Sequence, residues 1–400
     1  MGDVRSIVID VPEAELDDLR GRLAATRWPA AGPDVGIEQG PTTAKIQNLI
    51  EHWRTRHDWR QAERMLNNWG VFRTRIDGLD IDFLHIRSRH DDAFPLLLTH
   101  GWPGSVLEFR HVIGALSAPE AHGGRAADAF HLVLPTLPGF GFSAAPTETG
   151  WGISRTAAAW ETLMARLGYQ RWGAQGGDLG SAVTEELARR GASGLAGIHL
   201  NMLTFQPTAA EIEAADAAEL EALADAEHYR QHLAGYAAQQ TTRPQTIGYA
   251  IADSPTGLAA WIYAIFQDAC GTPGDAEASF ATDDLLDNIA WHWLSGSAAT
   301  APRYYWEIAR EGWHPSSTPD NPLALPTGVT MTARDCMRKS RRWTERRYTN
   351  LVHFGEAPAG GHFAAWEQPE HFVNDLRATF AGLRGHDEGL RSDHRESSRR

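Results

Sequence analysis

Cysteine is nearly absent, with only Cys270 and Cys336 in 400 residues. Two distant thiols make no disulfide framework and no cysteine-based zinc site on their own, so reduced thiols and a cytoplasmic location are expected. Lysine is confined to Lys45 and Lys339, while arginine is abundant. No apolar run approaches a membrane span, so no membrane anchor is expected. The N-terminus lacks a basic start followed by an apolar stretch, so no secretory signal is expected either. Positive charge is in deficit: the net charge of -14 excludes a broad nucleic-acid-binding surface. A His-Glu-x-x-His metal motif and a Gly-Lys-Ser/Thr phosphate loop are both missing, and Gly139-Phe140-Gly141 is no dinucleotide fingerprint. Neither a metal nor another cofactor is expected.

The chain is long enough for one large domain with appendages. Its 42% hydrophobic and 22% charged residues suit a globular protein. Leu16, Leu19 and Leu23 repeat at helical spacing up to Trp28-Pro29, and Thr42 or Thr43 is placed to cap a second helix carrying Ile46, Leu49, Ile50 and Trp53. A third short helix is expected from Arg60 to Trp69. Residues 1–75 therefore read as an N-terminal helical extension, too short in its parts to fold alone. Asp77-Gly78 marks a hairpin turn, and short apolar runs then alternate with helices. The strand runs are Phe94–Thr99, His131–Leu134, Trp172–Gln175 and Ile198–Leu200, and the pattern implies a mostly parallel, doubly wound α/β sheet. Residues 76–204 form its first part. Residues 205–320 are helical and lack strand runs, as a cap over the sheet would. Strand signals resume at Gly328–Met331 and Leu351–Phe354, so 321–384 is the second part of the core. The polar tail, 385–400, is expected to be disordered.

Chemistry concentrates at the ends of these strands. Gly176-Gly177-Asp178-Leu179-Gly180 lies between a strand and a helix, with small residues flanking Asp178 at two removes. That is the form of a nucleophile elbow, whose tight turn lifts one side chain above the sheet. Serine is commoner there. A carboxylate is ionised near neutral pH and attacks without a base. A helix-capping aspartate is the bland alternative. His362, in Gly360-Gly361-His362-Phe363, follows the last strand, where the nucleophile-acid-histidine order puts a base, although the chain has 18 histidines to choose from. Asp335 follows the strand at Val329–Met331, where the acid belongs, and a solvated loop aspartate is its alternative. His100-Gly101-Trp102-Pro103 follows an early strand. Such a loop can supply the Trp102 N–H to an oxyanion hole, with the N–H of Leu179 as second donor. Ser105 lies in no elbow.

In combination these motifs resemble the epoxide hydrolases, in particular the microsomal-type branch with an N-terminal extension. The resemblance spans about residues 4 to 382. It rests on Trp28-Pro29, the Trp53–Trp59 stretch, His100–Ser105, Leu137–Ser143, Gln175–Asp178 and Gly360–Ala365, all in family order. It implies an α/β-hydrolase fold with a helical cap, and conversion of a small-molecule epoxide and water to a vicinal diol through an ester on Asp178. It implies His362 as base, oriented by Asp335, and a substrate pocket including His100, Trp102 and Pro103. It also implies two cap tyrosines, Tyr236 and Tyr305, that hydrogen-bond the epoxide oxygen, with Tyr304 competing for the second place. Two departures stand out: Leu179 where the family often has Trp, and unfamiliar wording around Asp335. A haloalkane dehalogenase using the same aspartate and a non-catalytic binding protein on this fold are the rival readings. The identity of the epoxide, xenobiotic or natural-product intermediate, and homodimerisation stay open.

Overall fold

The computed structural model describes residues 3–30, 32–314 and 318–384. Among these, nine strands share one sheet: β1 (Val4–Ile7), β2 (Val71–Ile76), β3 (Leu79–Ile86), β4 (Phe94–Thr99), β5 (Phe130–Pro135), β6 (Trp172–Gly176), β7 (Leu195–Leu200), β8 (Thr327–Thr332) and β9 (Leu351–Ala357). Their order is β1-β2-β3-β5-β4-β6-β7-β8-β9. β1, β2 and β3 pair antiparallel, as do β3 and β5, and every pairing from β5 through β9 is parallel. β5 and β6 are buried at every residue, because helices cover both faces of the sheet and leave no polar side. Trp160, Leu163, Val183 and Leu187, from helices Ile153–Arg166 and Leu179–Arg189, fill one face. Phe372, Leu376 and Phe380, from helix Pro369–Phe380, fill the other.

The expected helical extension differs from the structure in one respect. Residues 1–75 hold the three expected helices, Glu13–Ala24, Thr43–Thr55 and Trp59–Trp69, but also two strands, β1 and β2. β1 escapes a sequence reading because four half-exposed edge residues carry no periodic signal. Caps fix two of the helices: Thr42 accepts from the N–H of Lys45, and Asp58 from that of Arg60. Leu16, Leu49, Ile50 and Trp53 join the same buried cluster as Leu258, Ile262 and Phe266 of the cap, so the extension packs on cap and core together.

The cap consists of helices between Ala209 and Glu311. Its first turn is anchored to the core by a buried bidentate pair. Arg347 donates to Glu211 at 2.8 and 2.6 Å, and its guanidinium lies 4.2 Å from the Phe205 ring centroid. The chain runs from β4 to β5 on one side of the sheet and from β6 onward on the other. The order thus reverses between β4 and β6, the place where α/β sheets open a crevice at their carboxyl ends. The expected tail, 385–400, lies outside the described residues.

Candidate active site

Asp178 stands at that reversal. It is one of two non-glycine residues with positive φ among those described, at 49°, while the other, Asp77, sits in the hairpin turn. A strained backbone of this kind costs about 1–3 kcal/mol and persists only where its surroundings enforce it. The enforcement is close packing. A Cβ on Gly176 would run into the carbonyl of Gly180, and one on Gly180 into that of Thr99. Asp178 does not cap the helix that starts at Leu179, since its side chain accepts no hydrogen bond from that first turn. Its Oδ1 instead accepts from the N–H of Trp102 at 2.9 Å, across the crevice from the end of β4.

Oδ2 of Asp178 faces His362, whose Nε2 lies 3.5 Å away. On the far side of the ring, Nδ1 is 3.6 Å from Oδ2 of Asp335. Separations of this length are usual in a site without substrate and tighten when one binds. Asp335 is buried, and its Oδ1 accepts from the N–H of Met337 at 2.7 Å. Burial works against the proton on His362, but Asp178 and Asp335 outweigh it and hold the imidazole pKa well above its ordinary value. Burial likewise opposes the charge of Asp335, yet the close approach and attraction of His362 keep the carboxyl below the usual range. The backbone positions His362 directly: its N–H donates to the carbonyl of Ala269 at 2.8 Å, tying the histidine loop to a cap helix.

Above these groups lies a cavity of about 480 Å³, bounded by Asp178, Leu179, Tyr236, Tyr305, Met337 and His362, among others. The Trp102 ring packs against both tyrosines, with centroids 5.2 Å from Tyr236 and 5.9 Å from Tyr305. Burial, then the negative charge of Asp178, raises the pKa of each phenol, so both stay protonated as hydrogen-bond donors. Tyr304 turns the other way. It is buried in the core, and its hydroxyl donates to Oγ1 of Thr156 at 2.8 Å.

None of the three expected pocket residues, His100, Trp102 and Pro103, borders the large cavity itself. His100 is wholly buried behind the loop. Its Nδ1 donates to the carbonyl of Gly101 at 2.9 Å, and its Nε2 accepts from the N–H of Leu137 at 3.2 Å. Burial lowers its pKa to about 4, which suits a neutral ring that makes both bonds and braces the loop without reaching substrate. Pro103 does not border the large cavity either, and its carbonyl accepts from Asn288 and His292. Trp102 meets the tyrosines through its ring.

Sequence reasoning missed Tyr229. Its hydroxyl lies 3.0 Å from that of Tyr236, it borders the cavity, and it begins a π-helical turn, Tyr229–Leu233. Nothing in a helical, tyrosine-bearing cap singles it out before the turn is seen. Cys336 also borders the cavity and gathers with Asp335 and His362, ligand atoms within 4.8 Å. Burial and the neighbouring carboxylates push its thiol far up, so it is poorly disposed to act as a thiolate ligand.

Comparison with known proteins bears on the family and the fold. Residues 4–109 match the family described as epoxide hydrolase N terminus, and residues 95–237 the alpha/beta hydrolase fold. A protein of Stigmatella aurantiaca (strain DW4/3-1), whose own activity as an epoxide hydrolase is inferred, is 50% identical over 376 residues, covering 94% of this chain and 84% of that protein. The chain belongs to the epoxide hydrolase family. Among solved structures, the juvenile hormone epoxide hydrolase of the silkworm Bombyx mori superposes with a TM-score of 0.86 at 28% identity, covering 96% of this chain and 95% of that one. The Aspergillus niger epoxide hydrolase superposes at 0.83 and 30% identity, covering 95% and 97%. Both matches span the extension, core and cap of the epoxide hydrolase described above.

Proposed function

We propose that this epoxide hydrolase opens a small-molecule epoxide with water to a vicinal diol by way of an ester on Asp178. One observation carries the reading. Asp178 holds one oxygen on the N–H of Trp102 and turns the other toward His362, below a cavity bordered by two buried phenols. Tyr236 and Tyr305 hold the ring oxygen. Oδ2 attacks a ring carbon, the carbon–oxygen bond breaks, and the alkoxide takes a proton through the phenols.

The charge on Asp178 helps hold the proton on His362. Esterification removes that charge, so the imidazole pKa falls and its proton balances the one taken by the alkoxide. His362, now neutral and oriented by Asp335, accepts a proton from water as the water oxygen bonds to Cγ of Asp178. The oxyanion forms on Oδ1, against the N–H groups of Trp102 and Leu179. When the ester C–O bond breaks, the leaving oxygen takes the remaining proton of the added water, and the diol departs with Asp178 again ionised and His362 again protonated. Both steps close in atoms and charge.

Single-turnover hydrolysis in heavy-oxygen water tests this. Label is expected in Asp178 first and in the diol on later turnovers; label passing directly into the first diol would overturn the covalent route. A halide-release assay separates a dehalogenase, which needs halide donors rather than a phenol pair. Among the described residues no helix is long and apolar enough to cross a membrane. The net charge of -14 supports the absence of a nucleic-acid partner, and two unbridged thiols support a cytoplasmic setting.

A further inference from the structure

A second, much smaller chamber touches the same two groups. It is bordered by Gly101, Gly104, Glu108 and Asn201, together with Asp178 and His362, which alone among its bordering residues also face the large cavity. Its free space of about 10 Å³ is that of one water molecule. The reaction needs two reactants at Asp178, and the site offers each a separate approach. The epoxide-sized cavity lies under the phenols, and the water-sized chamber lies against the HGWPG loop.

Glu108 is the uncommon feature of this chamber. It sits in the turn Val106–Phe109, whose other three residues are apolar and buried, and it borders the chamber. Gly104 makes room for it, since a Cβ there would collide with Oε2 of Glu108. Among the described residues, no arginine or lysine pairs with it. Burial first, then the charge of Asp178, raises its pKa to about 8, against the opposing pull of His362 and the N–H of Gly101. At neutral pH it is therefore a neutral acid, with a carbonyl oxygen able to accept a hydrogen bond. Asn201 supplies the complementary group. Its Oδ1 is taken by Nε2 of Gln175 at 2.7 Å, which leaves the Nδ2 donor beside Gly177.

We propose that this chamber holds the hydrolytic water and that Glu108 is the positioning residue that aims it at the Asp178 ester. The proposal rests on the covalent reading above. A water there has four partners. One hydrogen goes to Nε2 of His362 and the other to the carbonyl oxygen of Glu108. One lone pair accepts from Nδ2 of Asn201, and the other points at Cγ of Asp178. During attack the water oxygen bonds to Cγ, its proton passes to His362, and the ester C–O bond breaks. Glu108 keeps its own proton throughout.

The test separates ester formation from ester hydrolysis. Purified full-length protein is mixed with styrene oxide and quenched at intervals, and the mass added to the intact chain and the diol formed are both followed. Glu108→Ala is expected to form the ester at the wild-type rate but hydrolyse it more slowly, on the order of 100-fold, so that ester accumulates. Glu108→Gln keeps a neutral carbonyl acceptor and is expected to hydrolyse within a few-fold of wild type. In the wild type, hydrolysis weakens at alkaline pH as Glu108 ionises, because an ionised Glu108 sets a negative charge beside the forming oxyanion. The Glu108→Gln enzyme lacks that limb. Equal slowing of both steps in Glu108→Ala, or unchanged hydrolysis, would overturn the proposal, as would a Gln variant no better than the Ala variant. Should the Glu108 variants not fold, Asn201→Ala carries the same split, and its absence overturns the water site. A wild type that never carries the ester would instead overturn the covalent reading beneath it.

Discussion

The floor and the roof of this site are built by different means. The floor is backbone geometry: Asp178, Trp102, Asp335 and His362 stand on loops after β6, β4, β8 and β9, and glycines without room for a Cβ shape the loops of Asp178, Trp102 and His362. The roof is side-chain packing: Tyr229, Tyr236 and Tyr305 project from cap helices or turns and are fixed by the Trp102 ring and by one another. A floor of this kind tolerates no substitution at its turns, whereas a roof of this kind tolerates many sequences that pack. The proposed chemistry divides the same way, with bond making below and proton donation above.

Breaking the floor has the largest expected effect. Asp178→Ala removes the proposed nucleophile, and turnover of an epoxide should fall by on the order of 10⁴-fold or more in a diol assay. His362→Ala should still form the ester but hydrolyse it very slowly, seen as a persistent mass increase on the chain, with steady turnover down about 10³-fold. The tie between floor and roof comes next. Glu211→Ala strands the buried guanidinium of Arg347, which is 1% exposed, and should cost about 3–5 kcal/mol in urea unfolding. Within the roof, Tyr236→Phe or Tyr305→Phe should each slow ester formation about 100-fold while sparing ester hydrolysis. Tyr304→Phe is the control: it loses a core hydrogen bond and about 1 kcal/mol of stability, with ester formation at the wild-type rate. Tyr229→Phe is the mildest. It deprives Tyr236 of a hydroxyl partner, and ester formation should slow about fivefold.

The same contrast explains what a sequence reading reaches. Asp178 was legible because the elbow demands small residues at Gly176 and Gly180, and that demand is written in the chain as spacing. β4 was legible because a strand buried on both faces is an uninterrupted apolar run. His100 misled because its motif marks the loop, while the ring that braces the loop from behind carries the same letters as a ring that lines a pocket. The tyrosines needed a resemblance, since the helical phase that turns Tyr305 to the cavity and Tyr304 to Thr156 depends on how Arg303–Glu311 docks. β1 left no trace, because its pairing partner β2 lies more than sixty residues away in sequence.

By itself, then, the sequence determined the doubly wound core, the chain positions of Asp178, Asp335 and His362 after successive strands, and the three helices of the extension, because each depends on local sterics or short-range periodicity. Only the tertiary structure decided which tyrosine faces the cavity, that His100 stands behind the loop, that the extension lends two strands to the sheet, and that Glu108 shares a water-sized chamber with Asp178 and His362. Those outcomes depend on distances between segments far apart in the chain, which burial and packing set and no local pattern encodes.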